Sequence, residues 1–516
     1  MFRRLLSVGG FTLLSRITGF VRDILMAWTL GKGLLSDAFI VAFLFPNYFR
    51  QIFGEGTINP AFLPRYAALQ AKGEHAAAAL FADRVFSWQM TAQAVILIVA
   101  MVFMPALVSV LAPGFASHPD QFALTVHLAR ITFPYLILTL VAIQLSAMLN
   151  AIHKFWAAAA WSNFQNLAMI ATLLASRWFP NAAEAAAWGV LLGGILQMLF
   201  MIWASHRDGL SLRISWPRWT PEIKEFFKAL GAVTVGAASV FIAPFLDTVI
   251  ASLLPTGSRT ALYYADRIQQ LPLGVLGVAV GTVLLPEMSA RLATDDRGGS
   301  DTAQNRAASL SLLLTLPFAA VFVAIPGTIM SAIFAHGAFD HKAAALSAVA
   351  LAAYGAGLPA FALVRIVAST FYARHDTITP ARATVASIAI NIAFKIVLVW
   401  GFGLGIAGIA LGTSLGAWAN VAQLVFVGRR RGLLHIDDGF RRALAPILLA
   451  AAVTAGLAFA VVRSGGLIHV PAGLHDAVVL ALAAVVAGLA YLSVVYVFRA
   501  VLPLGRLAQF GKVAAP

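Results

Sequence analysis

No Asp, Glu, Lys or Arg interrupts residues 85–112, and apolar blocks of this kind recur along the whole chain. A membrane helix needs about 20 apolar residues to cross the hydrocarbon layer, whereas a barrel strand shows only about 10 in alternation. The blocks therefore fit membrane-spanning helices. They exclude a soluble globular enzyme, and composition agrees: 60% of the 516 residues are hydrophobic and 11% are charged, against about 25% charged in soluble domains. Windows bounded by Gly, Pro and charge clusters place spans near 8–30, 34–62, 85–112, 121–148, 156–176, 184–205, 229–254, 260–289, 307–335, 343–372, 381–400, 404–428, 443–462 and 475–498. The expected fold is an all-α polytopic membrane protein with about 14 transmembrane helices. Arg3 and Arg4 precede a stretch that carries Arg16, Arg22 and Asp23 and lacks a small-residue cleavage site, so a retained first helix is expected.

The formal net charge of +15 is read through the positive-inside rule, and not as a nucleic-acid footprint. With the N-terminus in the cytoplasm, cytoplasmic segments hold 24 of the 36 Lys and Arg residues. The opposite side holds 5, namely Lys32, Arg177, Arg259, Lys342 and Arg463. Both termini are expected in the cytoplasm of a multi-pass protein. The chain has no cysteine, which removes disulfides, thiolate catalysis and Cys-ligated metals.

The first two blocks of six spans echo each other. Phe133-Pro134 and Leu358-Pro359 precede Asn166 and Asn391 by the same interval, each pair offset by 225 residues. Gly189 and Gly193 are echoed by Gly408 and Gly412, and Gly56-Thr57 before Pro64 by Gly281-Thr282 before Pro286. A parallel repeat of this kind is a frequent plan among secondary transporters; small residues four apart also simply let helices pack closely. The domains expected are an N-terminal lobe 1–220, a C-terminal lobe 221–435, and a helix pair 436–516 outside the repeat.

The balance of the basic residues, 36 − 24 − 5 = 7, lies inside spans: Arg16, Arg22, Arg50, Arg130, Arg267, Arg365 and Lys395. A central Arg facing lipid costs about 2.5–3.5 kcal/mol, so these side chains should face a polar interior. Measured from residue 8, Arg16 lies about 12 Å and Arg22 about 21 Å along the first helix, and the two point about 120° apart. A bend at Gly19 would bring them onto one ligand. Asp23, Asp37, Glu55 and Asp266 are candidate countercharges. Arg16, Arg22, Arg50 and Arg267 suggest an anion-binding cavity, because the planar guanidinium fork matches phosphate oxygens. The alternatives are structural ion pairs, or an outer loop for Asp266 and Arg267. Arg130 and Arg365 read as interfacial or structural. Asp247 and Lys395, with Asn391 nearby, form a candidate coupling or structural pair. No metal-ligand spacing, His cluster, nucleophile elbow or phosphate loop is visible, so neither a cofactor nor catalysis is expected.

Several stretches resemble the MurJ (MviN) family of lipid II flippases: Ser15-Arg16, Gly19-Phe20-Val21-Arg22-Asp23, Asp37-Ala38-Phe39, and Pro46 through Gly56 with Arg50 and Glu55 at its centre. Tyr263-Tyr264-Ala265-Asp266-Arg267, Pro272-Leu273-Gly274, Phe371-Tyr372-Ala373, Asp376 and Thr379-Pro380 continue the resemblance to cover essentially the whole chain. The resemblance implies membership of the multidrug, oligosaccharidyl-lipid and polysaccharide exporter superfamily. It also implies two six-helix lobes around a central cavity, and two C-terminal helices forming a groove for a polyprenyl tail. Arg16, Arg22, Arg50 and Arg267 match cavity arginines expected to engage the diphosphate of lipid II. Gln270 stands where some relatives carry an acidic residue, and Lys395 lies where a sodium-binding relative would want a carboxylate. The function implied is to flip lipid II, the undecaprenyl diphosphate-linked disaccharide-pentapeptide of cell-wall biogenesis and cell shape, across the bacterial cytoplasmic (inner) membrane by alternating access. Partners implied are lipid II, membrane lipid and cell-wall synthesis proteins, with no nucleic acid. The alternative is an exporter of another lipid-linked oligosaccharide or of drugs. A membrane lipid phosphatase or glycosyltransferase would need more than Asp295-Asp296 at a membrane face, and a scaffold would have no use for the buried charges.

Overall fold

The computed structural model describes residues 2–55, 58–239, 241–279, 284–294, 296–467 and 470–503. Each of the fourteen expected spans falls on one helix or on consecutive helical segments, and no strand occurs among the described residues. By internal contacts the chain divides into two compact units, Met1–Thr260 with Gly337–Phe339, and Ala261–His336 with Asp340–Pro516.

In the first unit α1 is Phe2–Leu30, unbroken at Gly19, and α2 is Leu34–Phe49, continued by a π-helical stretch Arg50–Glu55 and by Ile58–Ala71. α3 comprises His75–Val102 and Met104–Leu111, α4 Pro119–Thr132 and Tyr135–Ala151, and α5 Phe155–Ala160 and Ser162–Leu174. α6 is Ala182–Arg207, and α7 comprises Pro221–Ser239 and Ile242–Ser252. The breaks in α3 and α4 fall beside Pro105 and Pro134, which cannot donate a backbone N–H to the preceding turn.

α8, which begins within the first unit and continues into the second, comprises Ser258–Ala279 and Leu285–Ala293, and α9 of the second unit comprises Arg297–Ala324 and Pro326–Phe334. α10 is His341–Tyr372, α11 is Ile378–Ile396 with a π-helical end Val397–Gly401, α12 is Gly405–Arg430, α13 is Asp438–Ser464 and α14 is Ala472–Val497. Nine segments are long and apolar enough to span a membrane by themselves among the described residues. The other five, α1, α2, α5, α7 and α8, are split or carry the intramembrane charges.

The two blocks of six share their internal packing and their turns. α4 and α5 both pack on α6, and α10 and α11 both pack on α12. The α4–α5 turn ends with His153 in the left-handed region (φ 61°) and the α10–α11 turn with His375 (φ 60°). In each turn the next residue's N–H reaches five residues back, Lys154 to the Leu149 carbonyl and Asp376 to that of Phe371 (both 2.9 Å). This is the hydrogen-bond pattern of a Schellman helix end. The C-terminal turns of α6 and α12 close the same way around Gly209 and Gly432. An ion pair then ties each inner turn to the end of the last helix of its block: Lys154 Nζ to Asp208 Oδ1 and Arg431 Nη1 to Asp376 Oδ2, both 3.0 Å. The charges are exchanged between the two.

The spaced glycines hold helices close. A Cβ on Gly193 would come 2.8 Å from Gln165 Cα of α5, and one on Gly408 2.9 Å from the Val399 backbone N. Gly56, Thr57, Gly281 and Thr282, the third echo, lie outside the described residues, as does Asp295. Beyond the repeat, α13 packs along α9 and α14 along α13.

Candidate functional site

The first unit gathers polar groups along the seam between α1 and α5. Ser15 Oγ and Ser162 Oγ lie 3.1 Å apart, and Thr18 Oγ1 lies 3.4 Å from Asn163 Oδ1. Asn166, buried on α5, donates from Nδ2 to the Ser15 carbonyl (3.1 Å) and to Thr18 Oγ1 (3.2 Å). Its Oδ1 accepts from Arg22 Nη1 at 2.9 Å. Arg22 also donates from Nε (3.0 Å) and Nη2 (2.7 Å) to Oδ1 of the buried Asp23. The half-buried guanidinium is thus held in plane by groups on two helices. Gly19 lies against this amide in an unbroken α1, and a Cβ at that position would make an ordinary contact with Asn166 Nδ2 at 3.4 Å. Arg16 sits on the same helix with its side chain exposed.

Arg50 opens the π-helical stretch of α2, one turn after Pro46, and donates from Nη2 to Asn47 Oδ1 at 3.0 Å. An apolar cavity of about 440 Å³ adjoins this stretch, lined by Phe45, Tyr48, Phe49 and Ile52 of α2 and by Phe241 and Phe245 of α7. Glu55 ends the π-helical stretch, and its side chain lies outside the described residues.

Asp37 is buried near the start of α2 and accepts from the Thr260 backbone N at 2.8 Å. Its carboxylate also takes the Gly257 N–H and the Thr260 hydroxyl. It thereby caps the first turn of α8, where unpaired N–H groups and the positive helix end favour a carboxylate. These donors lie 220 and 223 residues away in sequence.

In the second unit, Asp266 and Arg267 are helical residues of α8 and not loop residues. Arg267 Nη2 donates to the Tyr263 hydroxyl (3.1 Å), and its guanidinium carbon lies 4.7 Å from that ring's centre. Gln270 donates from Nε2 to Asp266 Oδ2. Asn391 and Lys395, one turn apart on α11, are both buried, Lys395 completely, beneath Gly416 and Gly412 of α12. Asp247 lies on the second helix of α7, partly exposed.

Asp23 and Arg22 thus meet as their adjacency suggests, while Asn163 and Asn166 were not singled out as site residues by sequence reasoning. Their signal is two amides three residues apart within an apolar segment, which places them on one helix face.

The profile of the family described as "Lipid II flippase MurJ" matches residues 26–469. A "Probable lipid II flippase MurJ" of Rhizobium tropici is 38% identical over 468 residues, covering 89% of this chain and 86% of that one. The "Lipid II flippase MurJ" of Burkholderia cenocepacia is 31% identical, with 89% of each chain covered. Among solved structures, a lipid II flippase MurJ in an inward closed conformation superposes with a TM-score of 0.78 at 24% identity, covering 95% of this chain and 98% of that one. An inward-facing multidrug transporter of the MATE family, within the MOP superfamily, superposes with a TM-score of 0.67 at 17% identity, covering 81% of this chain and 95% of that one. The chain is therefore a multi-pass membrane protein that shares the fold of those two transporters, and it belongs to the MurJ family, a family of transporters.

Proposed function

We propose that this protein flips lipid II from the cytoplasmic to the outer leaflet of the bacterial cytoplasmic (inner) membrane by alternating access. A disaccharide-pentapeptide diphosphate head cannot cross hydrocarbon unaided, while its polyprenyl tail need never leave it. The arginines on α1, α2 and α8, namely Arg16, Arg22, Arg50 and Arg267, bind the diphosphate, with Gly19, Asp23, Asp37, Glu55 and Asp266 in support. The observation that carries this reading is Arg22, an intramembrane guanidinium held in one plane by Asp23 and Asn166. A fixed planar fork suits bidentate phosphate recognition.

In this reading residues 1–220 and 221–435 act as the two lobes, and 436–516 provides the groove for the tail. Both termini face the cytoplasm. Anion binding neutralises arginines that would otherwise repel as the cavity closes. An inside-negative potential then favours outward movement of the anion by about 2.3 kcal/mol per net charge per 100 mV. Asp247, Asn391 and Lys395 stand as a coupling or structural set. Proteins of cell-wall synthesis are the partners that fit this role.

The test is depletion and rescue with Arg16→Ala, Arg22→Ala, Arg50→Ala and Arg267→Ala, scoring lipid II on the outer leaflet at matched membrane levels. Exposure is expected to fall at least tenfold for Arg22→Ala and Arg267→Ala, in sodium and in potassium medium alike. Full rescue by all four variants would remove the arginines from the mechanism.

A further inference from the structure

We infer that Asn166, on α5, is a positioning residue that sets the orientation of the Arg22 guanidinium for anion binding. The inference rests on the flippase reading above and deepens it. An amide side chain can present either its oxygen or its nitrogen to a neighbour, and only the network around it decides which. Here the network decides, because Nδ2 has two acceptors on α1, the Ser15 carbonyl and Thr18 Oγ1. The oxygen is thereby left facing Arg22 Nη1, 2.9 Å away. Turning the amide over would set an N–H against the guanidinium and an oxygen against the Ser15 carbonyl.

Asp23 holds the other side of the same guanidinium through Nε and Nη2. One contact alone would let the long side chain swing about its last torsions. Two contacts from different helices fix the plane. Asn166 is buried and borders Gly19, where α1 presents no side chain of its own, so the amide reaches the α1 backbone directly. Asn166 carries no charge to add to or cancel the cavity's field. Both of its N–H groups are donated to α1, so it acts through Arg22 and not on the anion.

The experiment uses the full-length protein in vesicles and follows flipping rate against lipid II content. Asn166→Ala is expected to raise half-saturation about fivefold to tenfold and leave the maximal rate within about twofold. In an Arg22→Ala background, adding Asn166→Ala is expected to change nothing further, whereas a purely structural role in α1–α5 packing would lower the rate in both backgrounds. Asn166→Asp keeps the volume if the alanine variant folds poorly. It removes both donations to α1 and sets a second carboxylate on Arg22, so half-saturation should rise at least as much. Wild-type constants in Asn166→Asp, or equal losses from Asn166→Ala with and without Arg22, would overturn the inference. Thermal stabilisation of the detergent-purified protein by inorganic diphosphate separates the two readings. If the wild type shows this stabilisation, and both Arg22→Ala and Asn166→Ala weaken it, while lipid II is not flipped, the flippase reading fails and the positioning role stands.

Discussion

At the scale of single residues, several stretches that resemble the family prove to be helix-end chemistry. Asp376 lies in the turn between α10 and α11 and accepts from the Thr379 hydroxyl (2.7 Å), the Thr379 N–H (2.9 Å) and Arg431. Those donors, Thr379 first, hold its carboxyl below the ordinary carboxylate range. A carboxyl whose folded pKa is depressed adds stability above its unfolded pKa of about 3.9, and that increment fades as pH falls through the lower folded value. Asp376→Ala should therefore lower stability at pH 7 by about 1 kcal/mol, the usual cost of a lost cap. Melting curves at pH 7 and pH 3.5 should show the gap between variant and wild type narrowing at the lower pH. Asp37 also caps a helix, the first turn of α8, but nothing in its own neighbourhood discloses that partner, because Gly257 and Thr260 are more than 200 residues away. Intramembrane arginines, by contrast, are legible at once, since a charge within an apolar block has few explanations. The α1–α5 amide seam is not, because Asn and Gln weigh little in any apolar window.

Among elements, proline creates a recurring problem and neighbouring helices answer it. A proline inside a helix leaves the carbonyl four residues back without its N–H and crowds that same carbonyl. Pro46 of α2 exposes the Ala42 carbonyl in this way, and Thr132 of α4 donates to it at 3.1 Å. Pro317 of α9 exposes that of Leu313, and Tyr491 of α14 donates to it at 3.1 Å. Near Pro359 of α10, Trp418 of α12 donates to the Ala356 carbonyl at 2.9 Å. The Thr132 and Tyr491 hydroxyls thus each close a gap that water cannot fill at membrane depth. Tyr491→Phe should cost about 0.6–1.7 kcal/mol, the range for interhelical hydrogen bonds in membranes. In a Pro317→Ala background, where the backbone N–H returns, the same substitution should cost much less. Unfolding in mixed micelles, run as a double-mutant cycle, measures the difference. The existence and order of the helices are legible from apolar run length. Where they break is legible only in part: Pro134 divides α4, while Pro359, at the matching place, leaves α10 continuous.

For the whole molecule, the distribution of Lys and Arg makes a direct prediction about orientation. The chain has no cysteine, so single cysteines can be introduced without first removing others. Lys342→Cys, in the first turn of α10, should react with a membrane-impermeant maleimide in intact cells. Lys72→Cys, between α2 and α3, should react only after permeabilisation. The opposite pattern would invert the topology. The sequence echoes that suggest a repeat are sparse because most positions in a lipid-facing helix accept any apolar residue. What persists is where backbone geometry leaves little choice, as at His153 and His375 or at Gly209 and Gly432. The exchanged ion pairs, Lys154 with Asp208 and Arg431 with Asp376, bear on how the two halves diverged. If both descend from one duplicated segment, no single substitution turns one pair into the other. At least one half passed through an ancestor whose turn carried two like charges or only one. Exposed pairs contribute about 0–1 kcal/mol, so such an ancestor would still have folded on its turn geometry alone. Selection would then have restored the attraction in whichever polarity arose first, and the mirrored charges would record a neutral interval in the protein's history.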